Sequence, residues 1–180
     1  MTLHRRTPLP VAPARGQLLV AEQVVQPTLG ALRASSGLDG PHEGLVLWLG
    51  RQCGTTSIVM SMICPVARSG RDHVFIDEAA VATAARTARE RGLGVVAQVH
   101  SHPTDDTRHS DGDDQLILMP FENMFSVVVA NYGHGTLLPE TGAGLHQYQD
   151  GTWRQVLGDN AMRVVDGLAT STVFTPRSAR

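Results

Sequence analysis

The strongest constraint on this chain lies between His100 and Asp113, which reads His-Ser-His-Pro-Thr-Asp-Asp-Thr-Arg-His-Ser-Asp-Gly-Asp. It follows the apolar run Val95-Val96-Ala97-Gln98-Val99, which predicts a buried strand. While the chain stays extended, His100 and His102 leave it on the same face, because side chains alternate with a period of two. Pro103 ends the strand, since it has no N–H to donate to a ladder. Seven residues separate His102 from Ser110, and Asp113 lies three further on. If Ser110 opens a helix, the i, i+3 spacing puts its hydroxyl and the Asp113 carboxylate one turn apart on one face. Two imidazoles and a carboxylate are good zinc ligands. Three ligands rather than four leave a position for water, as in a catalytic site.

The pattern His-x-His, seven residues, Ser-x-x-Asp closely resembles the JAMM motif of the MPN-domain zinc metallopeptidases. That family also has a glutamate upstream, at the head of the first core strand and before a glycine-rich apolar run. Pro41-His42-Glu43-Gly44-Leu45-Val46-Leu47-Trp48-Leu49-Gly50 fits that place. Glu22 and Glu78 sit in helical contexts and do not. The resemblance covers roughly residues 17 to 156. It implies one Zn2+ held by His100, His102 and Asp113 with a catalytic water, Glu43 as general base, and Ser110 as donor to the oxyanion. It also implies an α/β/α sandwich similar to cytidine deaminase, where sequence pattern alone supports only an α/β fold with a mixed sheet.

What the resemblance implies about activity is an isopeptidase or peptidase acting after the C-terminal tail of a ubiquitin-like protein. The compact chain and the Trp-Leu-Gly-Arg after Glu43 resemble stand-alone prokaryotic members. Those are often encoded beside activating and conjugating enzymes in antiviral defence operons. Expected partners are therefore a ubiquitin-like protein, its conjugates and those enzymes. A peptidase or amide hydrolase acting on small peptides or sulfur-carrier precursors would use the same residues. A catalytically silent scaffold is disfavoured by the intact ligand set.

The remaining pattern supplies a scaffold. Strands are expected at Gln17–Val20, Leu45–Leu49, Ser57–Cys64, Met124–Ala130, Leu145–Gln149 and Thr152–Val156, the last two joined by an Asp150-Gly151 type I′ turn. Val24, Val25, Leu29 and Leu32 predict a helix ending near Ser36-Gly37, with Pro27 tolerated only in its first turn. Asp77 is a helix N-cap, with Val81, Ala84, Ala85 and Ala88 on the buried face and Gly92 just past the end. Leu116, Ile117 and Leu118 continue a short helix after Asp113. Residues 1–16, interrupted by Pro8, Pro10 and Pro13, read as a flexible arm. Residues 17–157 read as the metallopeptidase domain and 158–180 as a partly disordered tail.

Several side chains are read blandly. Asp105, Asp106, Asp111, Asp114 and His109 form an acidic, solvated loop, and His42, His73, His134 and His146 are surface residues. Ser101, between the two histidines, faces away from them by strand alternation. Cys53 and Cys64 are small buried fillers. A formal net charge of -2 gives no footprint for nucleic acid or an anionic membrane surface. No apolar run is long enough for a transmembrane helix, and the prolines interrupt any signal peptide, so a cytoplasmic protein is expected. All fifteen basic residues are arginine. Biased codon usage in a GC-rich genome explains that, although a chain without lysine also offers no side-chain acceptor to a lysine-directed conjugation apparatus.

Overall fold

A nine-stranded mixed sheet organises the computed structural model, which describes residues 8–115, 120–157 and 160–167. Its strands in chain order are β1 (Val11–Ala12), β2 (Gln17–Ala21), β3 (Leu45–Cys53), β4 (Thr56–Ile63), β5 (Gly94–Ser101), β6 (Phe125–Val129), β7 (Gly144–Gln149), β8 (Thr152–Val156) and β9 (Met162–Val165). Across the sheet they run β1-β8-β7-β6-β5-β3-β4-β2-β9. The pairs β1–β8, β5–β6, β2–β4 and β2–β9 are parallel and the others antiparallel.

Two helices, α1 (Glu22–Arg33) and α2 (Glu78–Glu90), cover opposite faces. The alternation along β3 sorts them. Val46 and Trp48 pack in one cluster with Val24, Leu29 and Leu32 of α1, while Leu45 and Leu47 pack in another with Ala84 of α2. This is the α/β/α layering that the resemblance implied. On the α1 side the buried indole of Trp48 donates to Thr28 Oγ1 at 2.8 Å, which satisfies the polar atom of each side chain. α2 begins as its sequence predicts, with Asp77 accepting from the Ala80 N–H at 2.8 Å, and Gly92 follows its end at φ +67°.

Some expectations need correction. Pro27 lies in the middle of α1 rather than its first turn, because the helix starts at Glu22. One lost backbone bond is tolerated there because Val24, Thr28, Leu29 and Leu32 are buried against the sheet. Part of the supposed arm is tied down. Val11–Ala12 pairs with β8, Gln149 Nε2 donates to the Pro13 carbonyl at 3.0 Å, and Gln147 bonds the Arg15 backbone on both sides. Likewise, Met162–Val165, placed in the tail, forms the edge strand beside β2. Cys53 and Cys64 are exposed, at the ends of β3 and β4, not buried. The expected helix at Leu116–Leu118 and the tail beyond residue 167 lie outside the described residues; just before the former is a short 3-10 turn at Asp113–Gln115. Among the described residues, no helix is long and apolar enough to cross a membrane.

Candidate metal centre

β5 ends at the site. Its alternation sends Ala97 and Val99 to the α1 side, so Gln98 and His100 face the α2 side. The ladder with β3 pairs Leu45 with His100, and one step further the Ser101 N–H donates to the Gly44 carbonyl at 3.0 Å. Continuing that register puts Glu43 opposite His102. Ser101 turns the other way, as expected, and its Oγ accepts from the Gly44 N–H at 2.9 Å. The sequence-distant glutamate thus reaches the histidines through strand pairing.

Past His102 the chain folds back over the sheet. The Ser110 N–H donates to Asp113 Oδ2 at 2.5 Å, and the Asp113 N–H donates to Ser110 Oγ at 3.3 Å. This is a reciprocal cap on the short turn that follows. It holds the Asp113 carboxylate toward the imidazoles. His100 Nε2 lies 3.3 Å from His102 Nε2 and 3.3 Å from Asp113 Oδ1, and His102 Nε2 lies 3.1 Å from Asp113 Oδ2. Ligands about 2.0–2.1 Å from one ion at a tetrahedral angle stand roughly 3.3 Å apart. The three side chains therefore bring one ligand atom each within reach of a single metal ion. Of the described residues, these three are the group with that geometry, and all are buried.

The surroundings agree with that use. His102 Nδ1 donates to the Asp106 carbonyl at 2.7 Å, which leaves Nε2 as the lone-pair nitrogen aimed at the cluster. Burial, only partly opposed by Asp113, pushes His100 down to about 4, so its imidazole is neutral and able to ligate. At His102 burial also acts downward, but the hydrogen bond and charge of Asp113 outweigh it and raise the group. Asp113 is held well below the usual carboxylate range; burial opposes this and is outweighed by the charge and hydrogen bonds of the two histidines. Glu43 is 2 % exposed, and its Oε1 has no hydrogen-bond partner. Burial pushes it up to about 8, with His102 working against the shift and Asp113 and Asp72 adding to it. A buried carboxyl without a partner is costly and is characteristic of a functional site.

All five residues singled out from sequence are buried, Ser110 and Asp113 at 6 % exposure being the least so. Asp105 and Asp111 are exposed, as expected of a solvated loop, but two other readings fail. His109 and His146 are each 1 % exposed, and their rings stack with centroids 3.9 Å apart at 24°. His109 sits among charged neighbours in sequence, and His146 lies in a strand whose two faces look alike, so nothing in the local pattern marked either as buried. His42 is half-buried and bonds Asp39 at 2.6 Å.

Residues 25–138 match the family described as prokaryotic homologs of the JAB domain. A probable metalloprotease of Sinorhizobium fredii is 31% identical over 112 residues, covering 58% of this chain. The matched region spans 66% of that relative's length. Among solved structures, a Desulfitobacterium hafniense protein superposes with a TM-score of 0.62 at 18% identity, over 83% of this chain and 94% of that one. A JAB1/MPN domain protein from Archaeoglobus fulgidus superposes with a TM-score of 0.50 at 17% identity, over 83% of this chain and 98% of its own.

Proposed function

This chain belongs to the family of prokaryotic homologs of the JAB domain, and on that premise we propose that it is a zinc-dependent peptidase or isopeptidase cleaving after the C-terminal tail of a ubiquitin-like protein. The observation that carries the reading is the buried His100, His102 and Asp113 cluster, spaced for one metal ion, beside a buried glutamate whose Oε1 has no partner. Zinc held by His100, His102 and Asp113 would supply Lewis acidity and would lower the pKa of a water toward about 7.

The protein's own groups divide the rest. Glu43 takes a proton from the attacking water and returns it to the departing amine. General acid–base catalysis of this kind contributes roughly 10²- to 10⁴-fold in rate. Ser110, held by the Asp113 N–H, turns its hydroxyl hydrogen to the oxyanion of the tetrahedral intermediate. Removing a donor of this kind typically costs about 10²- to 10³-fold. The Asp106 carbonyl, accepting from Nδ1, keeps His102 in the ligating orientation.

A neighbouring groove is the proposed approach for an extended tail. A groove of about 790 Å³ is lined by Asp39, His42, Arg71, Asp72, Pro103 and Thr104, the last two following His102 in the chain. The Gly70 carbonyl on its wall accepts from the Glu43 backbone N–H at 2.8 Å, which ties the groove wall to the segment carrying the proposed base. Strand-like binding in such a groove uses main-chain hydrogen bonds and suits an unfolded tail. We propose that the enzyme works in a bacterial ubiquitin-like conjugation system.

The test is zinc content together with cleavage of a ubiquitin-like protein fused through its C-terminal tail, comparing wild type with Glu43→Ala. Stoichiometric zinc in both and cleavage by the wild type alone support the reading. Zinc without cleavage of any such fusion moves the substrate to small peptides, and absence of zinc binding defeats the proposal.

A further inference from the structure

The stacked histidines beside the metal cluster belong to a polar layer that the chemistry above does not use. Gln98, Ser126 and His146 occupy one row across β5, β6 and β7, paired by register and fully buried. Gln98 Nε2 donates to Ser126 Oγ at 3.0 Å. His109 descends from the loop onto this row. Its Nε2 lies 2.9 Å from Ser126 Oγ, its ring stacks on His146, and its Nδ1 lies 3.6 Å from Asp114 Oδ1. The His109 backbone N–H donates to His146 Nε2 at 3.3 Å. With Nε2 accepting and burial holding its pKa well below the ordinary value, His146 is the neutral Nδ1–H tautomer.

The loop meets β7 a second time, two residues away on the same face. Gly144 lies directly under the Thr107 carbonyl, where a Cβ would collide with it, and Thr107 Oγ1 donates to the Gly142 carbonyl at 3.2 Å. Thr107 and His109 thus dock on Gly144 and His146, and the next residue is Ser110. The segment carrying Ser110 and Asp113 has little regular structure of its own, so its position relative to β5 must come from such contacts.

We infer that His109 and His146 are positioning residues, a docked imidazole pair that fixes Ser110 and Asp113 against the two ligand histidines. Neither touches substrate or takes part in proton transfer. The inference rests on the metallopeptidase reading, and its function is to preorganise the site rather than to complete it. Groups of this kind behind metal ligands typically alter metal affinity or activity about 10- to 100-fold when changed.

The experiment compares the full chain with His146→Phe and His146→Gln. Phenylalanine keeps the ring and its stack but cannot accept from the His109 N–H, whereas the glutamine Oε1 reaches the place of Nε2. Zinc affinity is read by competition with a chromophoric chelator, and cleavage of the tail fusion is read with zinc in saturating excess. Expected for His146→Phe are a zinc Kd raised about 10- to 100-fold and a lower kcat at unchanged KM. His146→Gln is expected to recover most of both. A folded His146→Phe with wild-type zinc affinity and kcat overturns the proposal, as do equal losses in the two variants. If His146→Phe does not fold, Ser126→Ala removes only the hydroxyl under His109, and wild-type zinc affinity there overturns it equally. A wild type that binds no zinc instead defeats the metallopeptidase reading, so the two failures are distinct.

Discussion

Glu43→Gln tests the electrostatics of the site without a substrate. The carboxyl is buried, has one oxygen with no partner, and ionises near 8 rather than 4.5 in the metal-free fold. A folded-state value above the unfolded one means that between those pH values the native state holds a proton the unfolded chain has released. The contribution of this group to metal-free stability is then fully present below about pH 4.5 and falls as pH rises, until the native group also ionises. At about 1.36 kcal/mol per pH unit, the loss from this one group amounts to about 3 kcal/mol by pH 7. Glutamine has nearly the same shape and no such ionisation. Glu43→Gln should therefore match wild type near pH 4.5 and exceed it by about 3 kcal/mol at pH 7. The assay is urea unfolding of both proteins with chelator present, across pH 4.5 to 8, using the difference between them to cancel all other titrations. Saturating zinc should shrink that difference, because a dication beside the carboxylate favours its charged form. A difference below about 1 kcal/mol at pH 7, or one that does not grow with pH, refutes the argument.

Other expectations are more local. Thr28→Val keeps the side-chain shape but strips the buried Trp48 N–H of its 2.8 Å acceptor, and unfolding should show a loss of about 1–3 kcal/mol with zinc affinity unchanged. Gly144→Ala pushes a methyl into the Thr107 carbonyl; overpacking of this kind costs about 1–3 kcal/mol, and zinc affinity and cleavage should fall together. Asp113→Asn removes the charge facing both imidazoles. It should abolish stoichiometric zinc binding in a chelator competition, and retained stoichiometric zinc would contradict the ligand assignment. Chelation of the wild type should stop cleavage, and added zinc should restore it.

The ligand pattern was legible because each of its parts is governed by short-range geometry. His100 and His102 share a strand face two residues apart, and Ser110 and Asp113 cap one turn. Glycine-flanked Leu45 to Leu49 announced the core strand that carries Glu43, and Asp77 and Gly92 marked the ends of α2. Pattern without register could not go further. Pro27 was misplaced because burial of α1 outweighs the loss of one backbone bond, a balance invisible in its sequence. Val11–Ala12 and Met162–Val165 look like tail segments until open sheet edges offer them partners. His109 and His146 were read as surface residues because a histidine's burial depends on what crosses above it, and the loop and strand meet only in three dimensions.

The amino-acid sequence by itself determined which side chains could form a metal centre and the α/β pattern that would carry it, since strand alternation and turn capping act over a few residues. Only the tertiary structure decided that Glu43 stands opposite His102 and that His109 stacks on His146 beneath the loop. Those arrangements depend on pairing and packing between segments from 37 to 57 residues apart, where local propensity carries no information about register or depth.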